Sequence, residues 1–142
     1  MNEHTAKKSI LVVDDMQAQL TWITEILGDD FNVQTAKSGA ETLEILRGLR
    51  DDSTPDLLLI DIEMPEMDGF ELAAEIRLKP HLENVPIAFF TANAGSGYAK
   101  EGLALGITDY IVKPITAAEL KERVQIIIDE PIVIRKEFQN LV

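Results

Sequence analysis

LLLIDIEMPEMDGFE, residues 57–71, sets an aspartate directly behind four large apolar residues. The run Leu57-Leu58-Leu59-Ile60 is continuous rather than alternating, the pattern of a strand buried on both faces of a sheet. Asp61 stands where that strand, read as 56–60, leaves the core. Asp68 with Glu71 then reads as a capping box that opens a helix, with Phe70, Ala73 and Ile76 facing inward. A polar turn, Asp51 to Pro55, precedes the strand.

The same succession of apolar strand, polar residue and amphipathic helix recurs on both sides. Ser9 to Val13 reads as a first strand, followed by a helix over 16–27 with Leu20, Ile23 and Leu27 on one face and Gly28 ending it. Residues 31–36 are a second strand. Ser38 with Glu41 reads as a capping box for a helix carrying Leu43, Leu46 and Leu49. Pro86 introduces a fourth strand ending at Thr91, and Asp109 to Val112 makes a fifth. Thr116 with Glu119 caps a last helix through Leu120, Val124 and Ile127. Between them, 94–106 holds four glycines, which predicts a weak, mobile helix. Five strands alternating with five helical segments predict an α/β fold. The expected form is a flavodoxin-like, doubly wound five-stranded parallel sheet of order 2-1-3-4-5 with helices on both faces.

The bulk numbers set limits. The chain has 142 residues, 46% of them hydrophobic and 27% charged, and no cysteine. That is one globular domain with a real core, without disulfides or a thiolate zinc site. No apolar run reaches the length of a membrane span and MNEHTAKKS is not a signal peptide, so no membrane association and a cytoplasmic location are expected. A net charge of −12 argues against direct nucleic-acid binding, since phosphate backbones are met by clustered Lys and Arg. His4 and His81 read as surface residues without a role.

In a 2-1-3-4-5 sheet the ends of strands 1, 3, 4 and 5 share one rim. They carry Asp14-Asp15, Asp61, Thr91 and Lys113. Like charges about 4 Å apart repel by roughly 4 kcal/mol at an effective dielectric of about 20, and one lysine cannot neutralise three acids. Either an acid stays protonated or a divalent cation joins the site. Oxygen ligands without His or Cys favour Mg²⁺, with Mn²⁺ as the alternative. A carboxylate nucleophile beside a cation, a hydroxyl and an ammonium has the parts for phosphoryl transfer through an aspartyl phosphate.

DD at 14–15, DIEMPEMDG at 61–69, TA at 91–92 and DYIVKP at 109–114 together resemble the receiver domain of two-component response regulators. The resemblance runs from about Lys8 to Ile128. It implies a receiver domain at 8–128, preceded by an N-terminal arm (1–7) and followed by a tail or the start of a linker (129–142). It implies that Asp61 is the phosphoacceptor, supplied by a sensor histidine kinase or a histidine phosphotransfer protein. Asp15 and Asp61 would bind Mg²⁺ directly with the backbone carbonyl of Glu63, and Asp14 would act on the metal through water. Lys113 would pair with the acids and then with the phosphoryl group, and its bond to Pro114 would be cis. Thr91 would hydrogen-bond a phosphoryl oxygen, Ala92 would leave access to it, and Tyr110 would be the aromatic that turns inward. Glu63 and Asn93 are the family's variable positions, which tune the phosphorylated lifetime. Residues 94–106 would be the bistable element biased by phosphorylation.

A domain of this kind is not an enzyme in the ordinary sense; it catalyses only its own phosphorylation and dephosphorylation. Its output would be altered binding to a downstream protein target, to a fused output domain, or to a second copy through the face of helix 4, strand 5 and helix 5. Taken singly, Asp14-Asp15 also reads as a helix N-cap, Lys113-Pro114 as a plain loop and Tyr110 as core. A flavin-mononucleotide binder would need a phosphate loop where this chain has DDMQAQ, and a haloacid-dehalogenase-type phosphatase would need aspartate at position 63. A degenerate receiver would lack an acid or the lysine. The tail DEPIVIRKEFQNLV is too short for an output domain, so a stand-alone receiver or a piece of a longer regulator is expected. Ile132, Val133, Ile134, Phe138, Leu141 and Val142 make that tail apolar enough to dock on the domain or on a second copy. The stretch LKPHLENVPIAFFTA resembles receivers attached to cyclic-dinucleotide outputs.

Overall fold

The computed structural model describes residues 7–131 and 134–142. The expected arm up to residue 6, with His4, and the tail residues Ile132 and Val133 lie outside the described residues. The elements run β1 (Ser9–Val13), α1 (Gln17–Leu27), β2 (Asn32–Ala36), α2 (Gly39–Arg47), β3 (Leu57–Ile60), α3 (Gly69–Arg77), β4 (Ile87–Thr91), α4 (Ser96–Ala104), β5 (Asp109–Val112), α5 (Ala117–Asp129) and α6 (Lys136–Gln139). The five strands form one sheet in the order β2-β1-β3-β4-β5, and each neighbouring pair is parallel. Among the described residues, no helix is long and apolar enough to cross a membrane.

Continuous apolar strands are required because both sheet faces are covered. Leu11, Val13, Leu58, Ile60, Ile87 and Phe89 point to one side, where they pack with Leu46, Phe70, Leu72, Ile76 and Ala99 from α2, α3 and α4. Ile10, Val12, Leu57, Leu59, Ala88 and Phe90 point to the other, against Leu20, Ile23 and Leu27 of α1 and Leu120, Val124 and Ile127 of α5. Each fully buried Leu or Ile contributes roughly 1.5–3 kcal/mol relative to exposure. β2 lies at an edge and has only Ala36 buried, which explains its polar sequence, NVQTA.

The helix starts follow their caps. Asp68 and Thr116 each form the full reciprocal box with Glu71 and Glu119. The box expected at Ser38 is only half made. The Ser38 hydroxyl accepts from the Glu41 amide at 3.0 Å, but the Glu41 carboxylate reaches one residue further back, to the Lys37 amide at 2.6 Å. The glycine-rich segment forms a nine-residue helix, α4. Ala99, on its inner face, is buried, and Gly102 lets it approach the sheet, because a Cβ there would lie 2.6 Å from Ile107 Cδ1 and 3.2 Å from Phe89 Cε2.

Two polar devices hold the layers together. The Arg77 guanidinium donates to the carbonyls of Leu82, Glu83, Val85, Leu105 and Gly106 at 2.7–3.3 Å, tying α3 to the 80–85 turn and to the α4–β5 loop. On the other side of the sheet's edge, Arg123 of α5 makes a bidentate pair with Asp109 at the start of β5. The tail returns to the domain. Phe138 of α6 is fully buried in the core, so of the two dockings expected of this segment, on the domain or on a second copy, the structure has the first for Phe138, while Ile134 and Val142 stay exposed.

Candidate functional site

The hydrogen-bond ladder continues one residue past β1, β3 and β5 and fixes the rim. The Asp14 amide donates to the Ala36 carbonyl at 3.1 Å, the Asp61 amide to Val13 at 2.9 Å, and the Lys113 amide to Thr91 at 2.8 Å. Side chains from four strand ends, Asp14 and Lys113 lying 99 positions apart in sequence, therefore share one rim. One carboxylate oxygen from each of Asp14, Asp15 and Asp61 lies within 4.8 Å of the others. Lys113 Nζ is 3.3 Å from Asp14 Oδ2 and 3.9 Å from Asp61 Oδ2, and it also stands 5.0 Å from the centre of the Phe90 ring.

The three acids are not equivalent. Asp14 is 1% exposed and Asp61 is 8% exposed, whereas Asp15 faces solvent. Asp14 uses Oδ1 to accept from the Met16 amide at 2.9 Å and turns Oδ2 to Lys113. It thus makes a local turn before α1 and is a member of the cluster; it is not the helix N-cap that Asp14-Asp15 also allowed, because the N-cap is Met16, without a side-chain cap bond. Burial pushes the Asp61 carboxyl up to about 6. The Lys113 ammonium opposes this, the Asp14 charge adds to it, a backbone hydrogen bond at Glu63 opposes it, and Asp15 adds a smaller push. An all-oxygen donor set with surplus negative charge at one point fits a hard dication such as Mg²⁺.

The other expected residues have definite places. Thr91 is fully buried and its Oγ1 accepts from the Asn93 amide at 3.3 Å. Ala92 and the Glu63 side chain are exposed, and Asn93 is half-buried. The Asn93 Oδ1 accepts from the Gly95 amide at 2.9 Å, turning the chain into α4. Tyr110 is 1% exposed, and its hydroxyl donates to the Asn93 carbonyl at 2.6 Å. Burial pushes that phenol up to about 12, with smaller contributions from Tyr98 and Glu63. The Lys113–Pro114 peptide is cis.

The loop after Asp61 is shaped by close approach. Met64 and Met67 amides donate back to Ile62 and Pro65 carbonyls, and Glu66 takes a left-handed φ of 70°, uncommon for a residue with a Cβ. A Cβ on Gly69 would lie 2.7 Å from Ile62 Cα and 2.8 Å from the Asp61 carbonyl oxygen. Both contacts are backbone, so Gly69→Ala must displace the residues that carry the acid. A loss of about 1–3 kcal/mol in urea unfolding is expected.

Sequence reading missed several residues. Arg123, the buried partner of Asp109, lies 14 positions away on a different element. The Tyr110–Asn93 carbonyl bond and the stacking of Phe138 on Tyr110 involve no motif. For Arg77, a basic residue closing α3 above a Pro-rich turn was the only signal available.

Comparison with known proteins agrees with this geometry. The family model for the response regulator receiver domain matches residues 10–125. The chain is 35% identical over 122 residues to the "Probable cyclic di-GMP phosphodiesterase" of Vibrio cholerae, across 86% of this chain and 27% of that protein. It is 34% identical over 117 residues to the response regulator PleD of Caulobacter vibrioides, across 82% of this chain and 25% of that one. The chain thus spans about a quarter of the length of these curated relatives. Among solved structures, the chemotaxis response regulator CheY4 of Vibrio cholerae matches with a TM-score of 0.78 at 28% identity, over 86% of this chain and 99% of that one.

Proposed function

The chain belongs to the response regulator receiver domain family of two-component phosphorelay signalling, and on that premise we propose that Asp61 accepts a phosphoryl group from a sensor histidine kinase or a histidine phosphotransfer protein. A carboxylate oxygen of Asp61 attacks the phosphorus of a phosphohistidine. The new P–O bond forms as the P–N bond breaks, and the imidazole leaves with its electron pair. One observation carries the proposal: Asp14, Asp15 and Asp61 bring oxygens within 4.8 Å of one another beside the Lys113 ammonium.

Asp15, Asp61 and the backbone carbonyl of Glu63 would hold Mg²⁺, or Mn²⁺ in its place, with Asp14 acting through water. When bound, the cation supplies neutralising charge for the phosphoryl oxygens. Lys113 offers the second positive charge, and the Thr91 hydroxyl donates to a phosphoryl oxygen. Ala92 leaves room for the incoming group, while Glu63 and Asn93 border the path of a hydrolytic water and set the lifetime of the acyl phosphate. Such a domain turns over only its own phosphoryl group, and residues 8–128 are assigned to it. Its message passes to a downstream protein target, a second copy or an output domain on the same polypeptide. The likeness of 78–92 to receivers on cyclic-dinucleotide outputs, and the name of the Vibrio cholerae relative, point to that output class.

Incubation with acetyl phosphate and Mg²⁺ should add one phosphoryl mass to the intact chain, and chelation with EDTA should prevent it. An unchanged mass under both conditions overturns the assignment. Beryllofluoride, a phosphoryl mimic, should alter amide exchange across 94–106; unaltered exchange there refutes the switching role of that segment.

A further inference from the structure

β5 is an outer strand of the sheet, and the tail is fastened beside it. The Thr108 hydroxyl donates to the Pro131 carbonyl at 3.0 Å, and the Arg135 amide donates to the Thr108 carbonyl at 3.2 Å. α6 has only four residues, too few to hold a helix by itself. Its order comes from docking. Phe138 is fully buried and stacks on Tyr110 with ring centres 6.1 Å apart and an interplanar angle of 21°.

Tyr110 already stands inward, and its ring is held from two sides. Phe89 meets it edge-on at 6.1 Å, and Phe138 lies nearly parallel to it. So held, the phenol donates to the Asn93 carbonyl at 2.6 Å, and the Asn93 amide donates to Thr91 Oγ1 at 3.3 Å. A threonine hydroxyl has one proton to give and lone pairs that receive. With a lone pair engaged by Asn93, the proton of the fully buried Thr91 is left to donate, and among the described residues no protein acceptor takes it. A buried donor without an acceptor is costly. The arrangement therefore favours a ligand that brings an acceptor oxygen to Thr91.

We propose that Phe138 is a positioning residue for phosphoryl capture: packed on Tyr110, it keeps residues 91–93 set so that the Thr91 hydroxyl is ready to donate to a phosphoryl group on Asp61. This deepens the assignment of Asp61 as the acceptor and rests on it. Filling the rim requires no movement of Tyr110, so tail docking and phosphoryl binding support each other. Removing the Phe138 ring leaves a void that a core closes only in part. Tyr110 then gains room to tilt, and the bond that fixes Asn93 weakens. Because coupling between two sites is reciprocal, an occupied acceptor site must also hold the tail more firmly.

The test uses the full-length chain with Mg²⁺ and beryllofluoride, with affinities from calorimetry and folding checked by urea unfolding. Phe138→Ala should bind beryllofluoride about 5-fold or more weakly than the parent. Its Mg²⁺ affinity should stay that of the parent, because Asp14, Asp15 and Asp61 lie outside the path from Phe138 through Tyr110 and Asn93 to Thr91. Phe138→Leu, the variant to use should alanine fail to fold, keeps more of the volume and should show the same loss in smaller measure. Tyr110→Phe removes the phenol bond and should also weaken beryllofluoride binding; in that background Phe138→Leu should cost little more. In the parent chain, the amides of Arg135 and Leu141 should exchange more slowly once beryllofluoride is bound. Equal beryllofluoride affinities in parent and variants, an equal fall in Mg²⁺ affinity, losses that add fully in the double variant, or unslowed exchange at those amides each overturn the positioning role while leaving the acceptor site standing. Failure of the parent to bind beryllofluoride or to take phosphoryl at Asp61 overturns both.

Discussion

Asp61→Asn should abolish phosphoryl uptake from acetyl phosphate and, in metal-free solution near pH 7, make the protein more stable. The first effect follows from chemistry, because an amide oxygen does not displace a phosphohistidine or acyl phosphate leaving group as a carboxylate does. The second follows from linkage. Burial first, and the neighbouring Asp14 and Asp15 charges, raise the Asp61 carboxyl from 3.8 to about 6, with Lys113 only partly offsetting them. A carboxyl whose folded value lies above its unfolded value favours the folded state while protonated. That contribution is fully present below about pH 4 and is lost as pH rises through about 6. Above that range the ionised Asp61 opposes folding by at most ~3 kcal/mol, and asparagine removes the opposition. Urea unfolding in EDTA should therefore show the parent losing stability between about pH 4 and 6.5, with the variant flat by comparison. Adding Mg²⁺ at neutral pH should reverse the ranking, since the parent gains more from the cation. A variant that still takes up phosphoryl, or that is less stable than the parent in EDTA at neutral pH, contradicts the assigned charge balance of the site.

Arg123→Met should cost about 3–5 kcal/mol, lowering Tm by about 10–20 °C. Asp109 is fully buried and is met by Arg123 Nε at 3.0 Å and Nη2 at 2.7 Å, with a further bond from the Tyr110 amide at 2.8 Å. Burial pushes the Asp109 carboxyl up, and Arg123 is what holds it down. Without the guanidinium the carboxyl rises further above its unfolded value. As with Asp61, the variant then keeps most stability at low pH and loses it as pH climbs through the carboxylate range. Thermal melts at about pH 4.5 and 7.5 should diverge in the variant much more than in the parent, and Asp109→Asn added to Arg123→Met should recover part of the loss at the higher pH. A deficit equal at both pH values would mean that lost packing of the Arg123 side chain, not the uncompensated charge, sets the cost.

Much of the site was legible in the chain because parallel α/β topology converts sequence order into spatial order. Val13-Asp14, Ile60-Asp61, Phe90-Thr91 and Val112-Lys113 each place a polar residue where an apolar run stops, and the right-handed crossovers then bring those stops together. The capping boxes at Asp68 and Thr116 were legible for a local reason: both partners lie within one helical turn. Ser38 shows the margin of that logic, since Glu41 satisfies the neighbouring amide instead. The glycines of 94–106 predict a weak helix, yet Gly102 is what allows close packing on Phe89 and Ile107. Composition registers the helix propensity that a glycine forfeits, but not the close approach to the sheet that its missing Cβ permits.

The sequence by itself determined the order and type of the strands, the parallel sheet, the two-faced core and the set of acids, hydroxyl and ammonium at one rim, because each depends on periodicity or on groups near in the chain. Only the tertiary structure decided that Asp14 is buried while Asp15 faces water, that Arg123 neutralises Asp109, that Arg77 is held by carbonyls alone among its described hydrogen bonds, and that Phe138 closes over Tyr110. Those outcomes depend on which surfaces meet after the helices have packed. Burial sets both the charge balance of the site and the cost of losing each partner, and it is a property of the packed assembly, not of any segment.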